Sequence, residues 1–510
     1  MSPGGRLSPG GGSVLRSLLL GSTSQVAGRL LLSLIRLGAA MLILRLLGAE
    51  QFGAYVLLLT VLTLPEWLVD FGQTDIAIRE ISRHPRSSEQ VLAALLRLRL
   101  IQSLILAPLL PAGLVIAGYP LDVVIAGALG SASLPALALA LALVARTRLR
   151  AGMHMSRDML AELASGAVLL PATAIACFAE AGIIGLMAAY LASRLAWLAA
   201  AAVLARGTRA APRDDAAGAG APAPVDSPLG LLRGSLPLGA IGLLVGVYDG
   251  VAPMVLGAIG DLNQVAVYWV ATRCAFPALL VVHAMGIAFF PLLARAWSAN
   301  RKLLATLQHM AFDAALFLAI GFVCGLVGAA EFIMAAFAPG GGEAGLIEQA
   351  TVLRVMALVV VARTVSTAMA PLIVVAGWQS RAAWLTVVSL TAQLLGLFAT
   401  VPVYGALGAT LTCLLVELLT SVLGIGWLAR RATGVALAWN VPLRLLASGA
   451  IACAAVLLSP LFGSLAGGLV AGTAFVILAV ASRAIAPHRL RSFAAALASR
   501  PGAANRTAST

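Results

Sequence analysis

Apolar stretches of about 20 residues recur from one end of this sequence to the other, and each could cross the roughly 30 Å hydrocarbon core of a bilayer as a helix. Backbone groups inside lipid must be hydrogen-bonded within the protein, which leaves helices or closed barrels, and these stretches lack the alternation of barrel strands. Of the 510 residues, 61% are hydrophobic and 11% are charged, whereas soluble proteins carry about a quarter charged residues. The sequence therefore predicts an all-α polytopic membrane protein.

Hydropathy, together with glycine and proline breaks, divides the chain into about fourteen transmembrane helices. We predict them at 17–46, 52–77, 92–117, 121–147, 158–179, 182–205, 230–257, 264–293, 303–329, 348–376, 382–402, 405–429, 441–460 and 464–486. Loops that follow even-numbered helices carry arginines, such as Arg79 and Arg83, and the intervening loops carry almost none. The positive-inside rule then places both termini in the cytoplasm.

An internal repeat predicts two lobes of six helices. Gln51–Tyr55 opens the second helix as Gln264–Tyr268 opens the eighth, and Gly182-x-x-Gly185 opens the sixth as Gly405-x-x-Gly408 opens the twelfth. Duplicated halves are how many transporters build a pathway with alternating access. We predict a disordered cytoplasmic N-terminus at 1–16, an N-lobe of helices 1–6 at 17–205, a cytoplasmic linker at 206–229, a C-lobe of helices 7–12 at 230–429, accessory helices 13 and 14 at 430–486, and a cytoplasmic tail at 487–510.

The charge and cysteine patterns exclude several classes of function. The net charge of +14 comes mainly from arginines at the ends of apolar segments, so nucleic acid is not a predicted partner. The five cysteines show no CxxC spacing and no neighbouring histidines, which predicts no metal site. The sequence contains no phosphate-cradling glycine motif of nucleotide hydrolases, and we predict no cofactor. The outward loops are too short for the catalytic region of a polysaccharide polymerase or ligase, which makes an enzyme the less favoured alternative.

Three segments near the N-terminus carry a family likeness: Leu46-Leu-Gly-Ala-Glu-Gln-Phe-Gly-Ala-Tyr55, Asp70-Phe-Gly72 and Arg79-Glu-Ile-Ser-Arg83. Together with the Pro291–Arg295 ending of helix 8, they resemble the Wzx-type polysaccharide and O-antigen flippases of the multidrug/oligosaccharidyl-lipid/polysaccharide exporter superfamily. The resemblance implies a transporter in the bacterial plasma (inner) membrane that flips polyprenyl-pyrophosphate-linked oligosaccharide to the outer face. Such proteins serve lipopolysaccharide O-antigen, capsule or exopolysaccharide assembly, alongside polymerases and other assembly proteins. A drug or cation antiporter of the same superfamily is the main alternative.

Arginines inside the predicted helices are the candidate substrate contacts. An ionisable group at the bilayer centre costs at least about 2.5 kcal/mol, so it usually faces a cavity or a partner. In helix 1, Gln25, Arg29, Ser33 and Arg36 share one face. Guanidinium groups can bind phosphate oxygens bidentately, although Arg29 could instead extend to the cytoplasmic interface. The candidates for binding pyrophosphate are Arg36, Arg273, Arg29, Arg363 and Arg354.

Spacing separates some of these candidates. Arg273 and His283 are ten residues apart on roughly one face of helix 8, and we interpret His283 as a packing residue rather than a proton carrier. Arg354 and Arg363 are nine residues apart on helix 10 and so point in nearly opposite directions. At most one of the latter two is expected to face a cavity.

Carboxylates inside the helices have two open interpretations. Each could bind a coupling H⁺ or Na⁺, or could neutralise an arginine. Glu66 and Asp70 share a face of helix 2, and Asp249 is the repeat equivalent of Arg36 and the natural candidate to pair with it. The candidates are Asp249, Glu66, Asp70, Asp313 and Glu417. Transport would then be driven by an ion gradient, the membrane potential or consumption of the product.

Overall fold

A computed structural model describes the protein at residues 11–83, 88–139, 147, 149, 155–206, 227–299, 301–337, 342–434, 439–459, 461–482 and 484. Within these residues, all regular secondary structure is helical. In chain order the helices are α1 Gly11–Leu46, α2 Ala49–Asp70, α3 Gln73–Arg83, α4 Ser88–Leu106, α5 Leu109–Ile116, α6 Leu121–Ser131, α7 Ser133–Leu139, α8 Met155–Phe178, α9 Gly182–Leu204, α10 Pro228–Ile259, α11 Leu262–Ala275, α12 Pro277–Ala299, α13 Arg301–Gly328, α14 Ala330–Phe337, α15 Gly342–Val375, α16 Gln379–Glu417, the π-helix α17 Leu418–Ile425, α18 Gly426–Thr433, α19 Asn440–Leu457 and α20 Leu465–Ala481.

The described helices confirm an all-α, multi-pass membrane protein. Eleven helical segments in this part of the chain are long and apolar enough to cross a membrane, and the bent pair α11 and α12 makes a twelfth. Two features account for the difference from about fourteen. The segment Gln379–Thr433 counts once although its 55 residues rise about 80 Å, enough for two crossings. The apolar helix Leu465–Ala481 is shorter than the others.

Several predicted boundaries need correction. The predicted helix 264–293 is interrupted at Phe276, because Pro277 has no backbone N–H to continue the hydrogen bonding of α11. Arg273 and His283 therefore lie on two different helices, and the expectation of one shared helical face was wrong. The helix α1 begins at Gly11 rather than at 17. The predicted N-terminus at 1–10, most of the linker and the tail lie outside the described residues.

The chain forms two compact units. Unit 1 comprises Met1–Arg273, Phe337–Gly340 and Thr386–Thr412, and unit 2 comprises Cys274–Ala336, Gly341–Leu385 and Cys413–Thr510. These units do not follow the predicted lobes at 17–205 and 230–429, since α10 packs along α2 and α3 of the first half. The division of the repeat into lobes remains a prediction.

In unit 1, the helices α8 and α9 pack against each other. The helix α1 packs on α8, and α6 packs on α9. In unit 2, α13 packs against α12, α15, α19 and α20. Its contact with α20 is close because Gly328 faces the backbone of Gly467 and Gly468, where a side chain would collide.

The two Gly-x-x-Gly segments share a backbone conformation. Gly182 has a φ of +57° and Gly405 a φ of +52°, which glycine adopts without the steric cost that other residues incur. At Gly405 the helix α16 has non-helical dihedrals, and the Ala406 N–H beyond it donates a 3.0 Å hydrogen bond to Gln264 Oε1. The two glycines thus share a left-handed backbone conformation, and the repeat itself remains a prediction.

Gly53 lies where α2 approaches the start of α11. The carbonyl group of Leu262 occupies the space that a side chain at Gly53 would need. The neighbouring Phe52 ring packs edge-on against Trp269, with ring centroids 5.1 Å apart. The segments that open the predicted helices 2 and 8 are thus brought together by packing.

We expect Gly53→Val to destabilise the protein. The obstacle is backbone, which cannot rotate away, and overpacking of this kind costs about 1–3 kcal/mol. Thermal unfolding in detergent should show a lower Tm for this variant. Gly113→Val in α5 is the matched control because an added Cβ there meets open space. Equal Tm values for the two variants would contradict the close approach.

Candidate substrate cavity

A cavity of about 460 Å³ lies within unit 1 among membrane-spanning helices. Its lining follows single helical faces, since residues recur every three or four positions from Leu32 to Ile43 on α1 and from Phe52 to Asp70 on α2. The remaining lining residues are Leu137, Glu162, Ser165, Gly166, Leu169, Tyr190, Ser193, Arg194, Trp197, Trp269 and Arg273. Both halves of the chain contribute to this site.

Arg36 on α1 and Arg273 on α11 are exposed side chains in the cavity lining. Neither forms an ion pair with a described residue, and the two guanidinium groups are close enough to interact electrostatically. The Arg273 guanidinium lies 5.3 Å from the Trp269 ring centroid, in cation–π geometry. Two neighbouring guanidinium groups among apolar helices form a site suited to a multiply charged anion such as a phosphate.

Glu66 belongs to an ordered network with α9. Arg194 Nη2 and the Tyr190 hydroxyl each donate a 2.7 Å hydrogen bond to Glu66 Oε1. Arg194 Nε also donates to the Tyr190 hydroxyl, at 2.9 Å. The Glu66 and Arg194 side chains are only 16% and 20% exposed. The charge of Glu66 is therefore balanced within the cavity wall.

Asp70 forms the corresponding pair with α4. Its Oδ1 accepts hydrogen bonds from Arg99 Nη2 and, at 2.6 Å, from Thr74 Oγ1. Arg99 Nη2 also donates to Thr74 Oγ1 at 2.6 Å. The Arg99 side chain is fully buried, while Asp70 is 37% exposed and lines the cavity. This pair anchors the end of α2 to α4.

Two predicted pyrophosphate contacts lie in unit 2, outside the cavity lining. Arg354 pairs with Glu331 of α14 at 2.7 Å and covers the Phe462 ring. Arg363 pairs with Glu417 at 3.4 Å, and Glu417 also accepts a hydrogen bond from Ser421. Both arginines therefore have carboxylate partners on other segments.

The other predicted residues also lie outside the lining. Arg29 is exposed on α1, about two turns before Arg36. Asp249 is exposed on α10 and acts electrostatically on Arg273. Asp313 is half-buried in α13 of unit 2. Of the ten candidates, the structure brings four to the cavity: Arg36, Arg273, Glu66 and Asp70.

The sequence interpretation missed three cavity residues, namely Arg194, Tyr190 and Glu162. Arg194 and Glu162 each lie inside a predicted transmembrane helix, so the rule that an embedded charge marks a site would have found them. Tyr190 lies one turn before Arg194 on the same face. Applying that rule to every predicted helix would have added Arg194 and Glu162, and Tyr190 follows as the neighbour of Arg194 on the same helical face.

Among the described residues there is no cluster of three or more His, Cys, Asp or Glu side chains suited to a metal. Cys324 and Cys453 come closest to each other, with sulfur atoms 3.7 Å apart in unit 2. The cavity lining contains neither cysteine nor histidine.

Comparisons with known proteins identify the family of this chain and solved structures with a similar fold. The family model described as "Polysaccharide biosynthesis protein" matches residues 16–297, and no curated protein sequence matches the chain. The lipid II flippase MurJ in an inward closed conformation is similar in structure, with 13% identity, a TM-score of 0.68, and coverage of 90% of this chain and 98% of MurJ.

Two further solved structures share the fold. An inward-facing multidrug resistance MATE transporter of the MOP superfamily has 16% identity, a TM-score of 0.63, and coverage of 79% of this chain and 95% of its own. A MOP superfamily transporter from Pyrococcus furiosus has 17% identity, a TM-score of 0.59, and coverage of 82% and 96%. At these identities the likeness establishes the fold of MOP superfamily transporters.

Proposed function

This chain belongs to the polysaccharide biosynthesis protein family, and from that premise we propose that it is a flippase rather than an enzyme. It moves polyprenyl-pyrophosphate-linked oligosaccharide from the cytoplasmic to the outer face of the bacterial plasma membrane by alternating access. Both termini are cytoplasmic, in keeping with the arginine-rich loops. The product feeds cell-surface polysaccharide assembly.

The observation that carries this proposal is the pair Arg36 and Arg273 in the cavity. A pyrophosphate carries several negative charges, and burying it among apolar helices requires cationic hydrogen-bond donors. Two guanidinium groups that form no ion pair with the described protein can supply them, while the polyprenyl tail stays in lipid. The sugar then occupies the remaining cavity.

The same cavity gives less support to a drug or cation antiporter. Such a transporter needs a carboxylate that is available to cationic cargo. Glu66 and Asp70 are instead hydrogen-bonded to Arg194 and Arg99. Arg36 and Arg273 form no such pair with a described carboxylate, so the cavity favours an anionic substrate over a cationic one.

Reconstitution into liposomes tests the proposal. With a fluorescent polyprenyl-pyrophosphate oligosaccharide as the probe, we expect movement to the opposite leaflet that depends on the protein. The assay is repeated under a proton gradient, a sodium gradient and a membrane potential. Absence of movement under all three, or efficient transport of a cationic dye instead, would overturn the proposal.

A further inference from the structure

The cavity has a second polar region besides the two arginines, formed by Trp67, Glu66 and Arg194. We propose that these three residues form a saccharide subsite that accepts a neutral pyranose next to the pyrophosphate and disfavours an acidic sugar. This inference rests on the proposed function and adds the class of sugar to it. Three observations support it. The Trp67 ring is packed against glycines of α10, Glu66 and Arg194 retain hydrogen-bonding capacity, and carboxylates outnumber guanidinium groups around the ring.

Trp67 presents a supported aromatic surface to the cavity. Gly242 and Gly246 of α10 lie behind its ring, where a Cβ at Gly246 would be 2.9 Å from the indole. The residue is nevertheless 42% exposed and lines the cavity. An indole held against glycines on one side offers its remaining surface to the C–H face of a sugar ring, and its packing limits the entropy lost on binding.

Glu66 and Arg194 retain hydrogen-bonding capacity beside this ring. Both bonds to Glu66 from described residues go to Oε1, and none goes to Oε2. Arg194 donates through Nε and Nη2 to Glu66 and Tyr190 and not through Nη1. One acceptor and one donor are therefore already ordered. Neighbouring sugar hydroxyls match this arrangement because each hydroxyl both donates and accepts.

The charge near Trp67 selects against an acidic sugar. In the proposed complex Arg36 and Arg273 hold the pyrophosphate, and the other charged groups are three carboxylates, Glu66, Asp70 and Glu162, against two guanidinium groups, Arg194 in the lining and Arg99 paired with Asp70. A uronic acid would bring a further negative charge into surroundings of low dielectric constant, where like charges repel strongly. A neutral hexose carries no such penalty.

A single substrate can reach both regions. Tyr55 lies in the same lining and interacts electrostatically with Arg36 and with Arg194. The anion site and the saccharide subsite are therefore close neighbours. In the proposed substrate, pyrophosphate and first sugar are also neighbours, because they are covalently joined.

Binding to the purified protein in nanodiscs tests the subsite with three probes: undecaprenyl pyrophosphate without sugar, with one glucose, and with one glucuronic acid. We define the glucose gain as the affinity for the glucose lipid divided by that for the sugar-free lipid. Wild-type protein should show a gain of at least about tenfold and bind the glucuronic acid lipid at least about tenfold more weakly than the glucose lipid. Trp67→Ala and Glu66→Gln should each reduce the gain to below about threefold.

Two further variants, Trp384→Ala and Gly246→Ala, serve as controls for the loss of a tryptophan and for misfolding. Trp384→Ala removes an exposed tryptophan outside the cavity and should keep the full gain. Gly246→Ala displaces the Trp67 ring without removing a polar group and should lower the gain even if Trp67→Ala does not fold. An unchanged gain in Gly246→Ala and Glu66→Gln overturns the subsite, and equal binding of the two sugar lipids overturns the charge selection. If wild-type protein binds none of the three lipids, the proposed function fails and the subsite with it.

Discussion

Replacing Arg36 or Arg273 with alanine should abolish transport while leaving the protein in the membrane. Hydrogen bonds to charged groups contribute about 1.5–3 kcal/mol each, so loss of one bidentate guanidinium contact should weaken pyrophosphate binding by about 100-fold or more. Neither arginine has an ion-pair partner among the described residues, so removing it leaves no described carboxylate without its cation. Liposome flipping and polymer export measure transport, and immunoblotting of membranes measures the protein level.

Two variants on α1 sharpen this test. Arg29→Ala removes an exposed arginine outside the cavity lining and should transport normally. Arg36→Lys keeps the charge but loses the planar fork that contacts two phosphate oxygens, so we expect an intermediate rate. Normal export in both Arg36→Ala and Arg273→Ala would remove the cationic cavity as the basis of function.

The second large effect is expected on stability, from Asp70→Ala. The substitution removes a negative charge beside the fully buried Arg99 guanidinium. Breaking a buried ion pair from one side costs about 3–5 kcal/mol, and we expect about 3 kcal/mol because Asp70 itself is 37% exposed. Thermal unfolding in detergent should show a Tm several degrees lower.

A second substitution shows whether the buried charge causes that loss. Asp70→Ala combined with Arg99→Met should be more stable than Asp70→Ala alone, because the charge left behind is removed as well. Arg97→Met lies on the same helix in an exposed position and should restore nothing. If Arg97→Met restores stability as well as Arg99→Met does, the pair is not the cause.

A charge that is visible inside an apolar stretch of the sequence pointed to some of the residues that line the cavity. Arg36 and Arg273 met that condition, and both line the cavity. Arg354 and Arg363 met it equally, yet the structure pairs them with Glu331 and Glu417. Which embedded arginines acquire a partner depends on how helices pack, and hydropathy contains no information about that packing.

The fold was predictable to a similar degree. Hydropathy located the apolar helices because the bilayer imposes their length and composition. The break at Phe276 was missed although Pro277 marks it in the sequence, since a proline changes mean hydropathy little while it removes a backbone donor. The packing of α10 on α2 joins distant parts of the chain, and local patterns do not specify it.

The pairing of Glu66 with Arg194 has a consequence for biosynthesis. The two residues are 128 positions apart in the chain, so at about 5–20 residues per second Arg194 is synthesised about 6–25 s after Glu66. Until then α2 carries a carboxylate that lacks this partner, and an acidic residue inside a transmembrane helix costs up to about 2.5–3.5 kcal/mol. A nascent chain stopped before residue 194 retains that cost, and the early helices can complete their arrangement only after α9 enters the membrane.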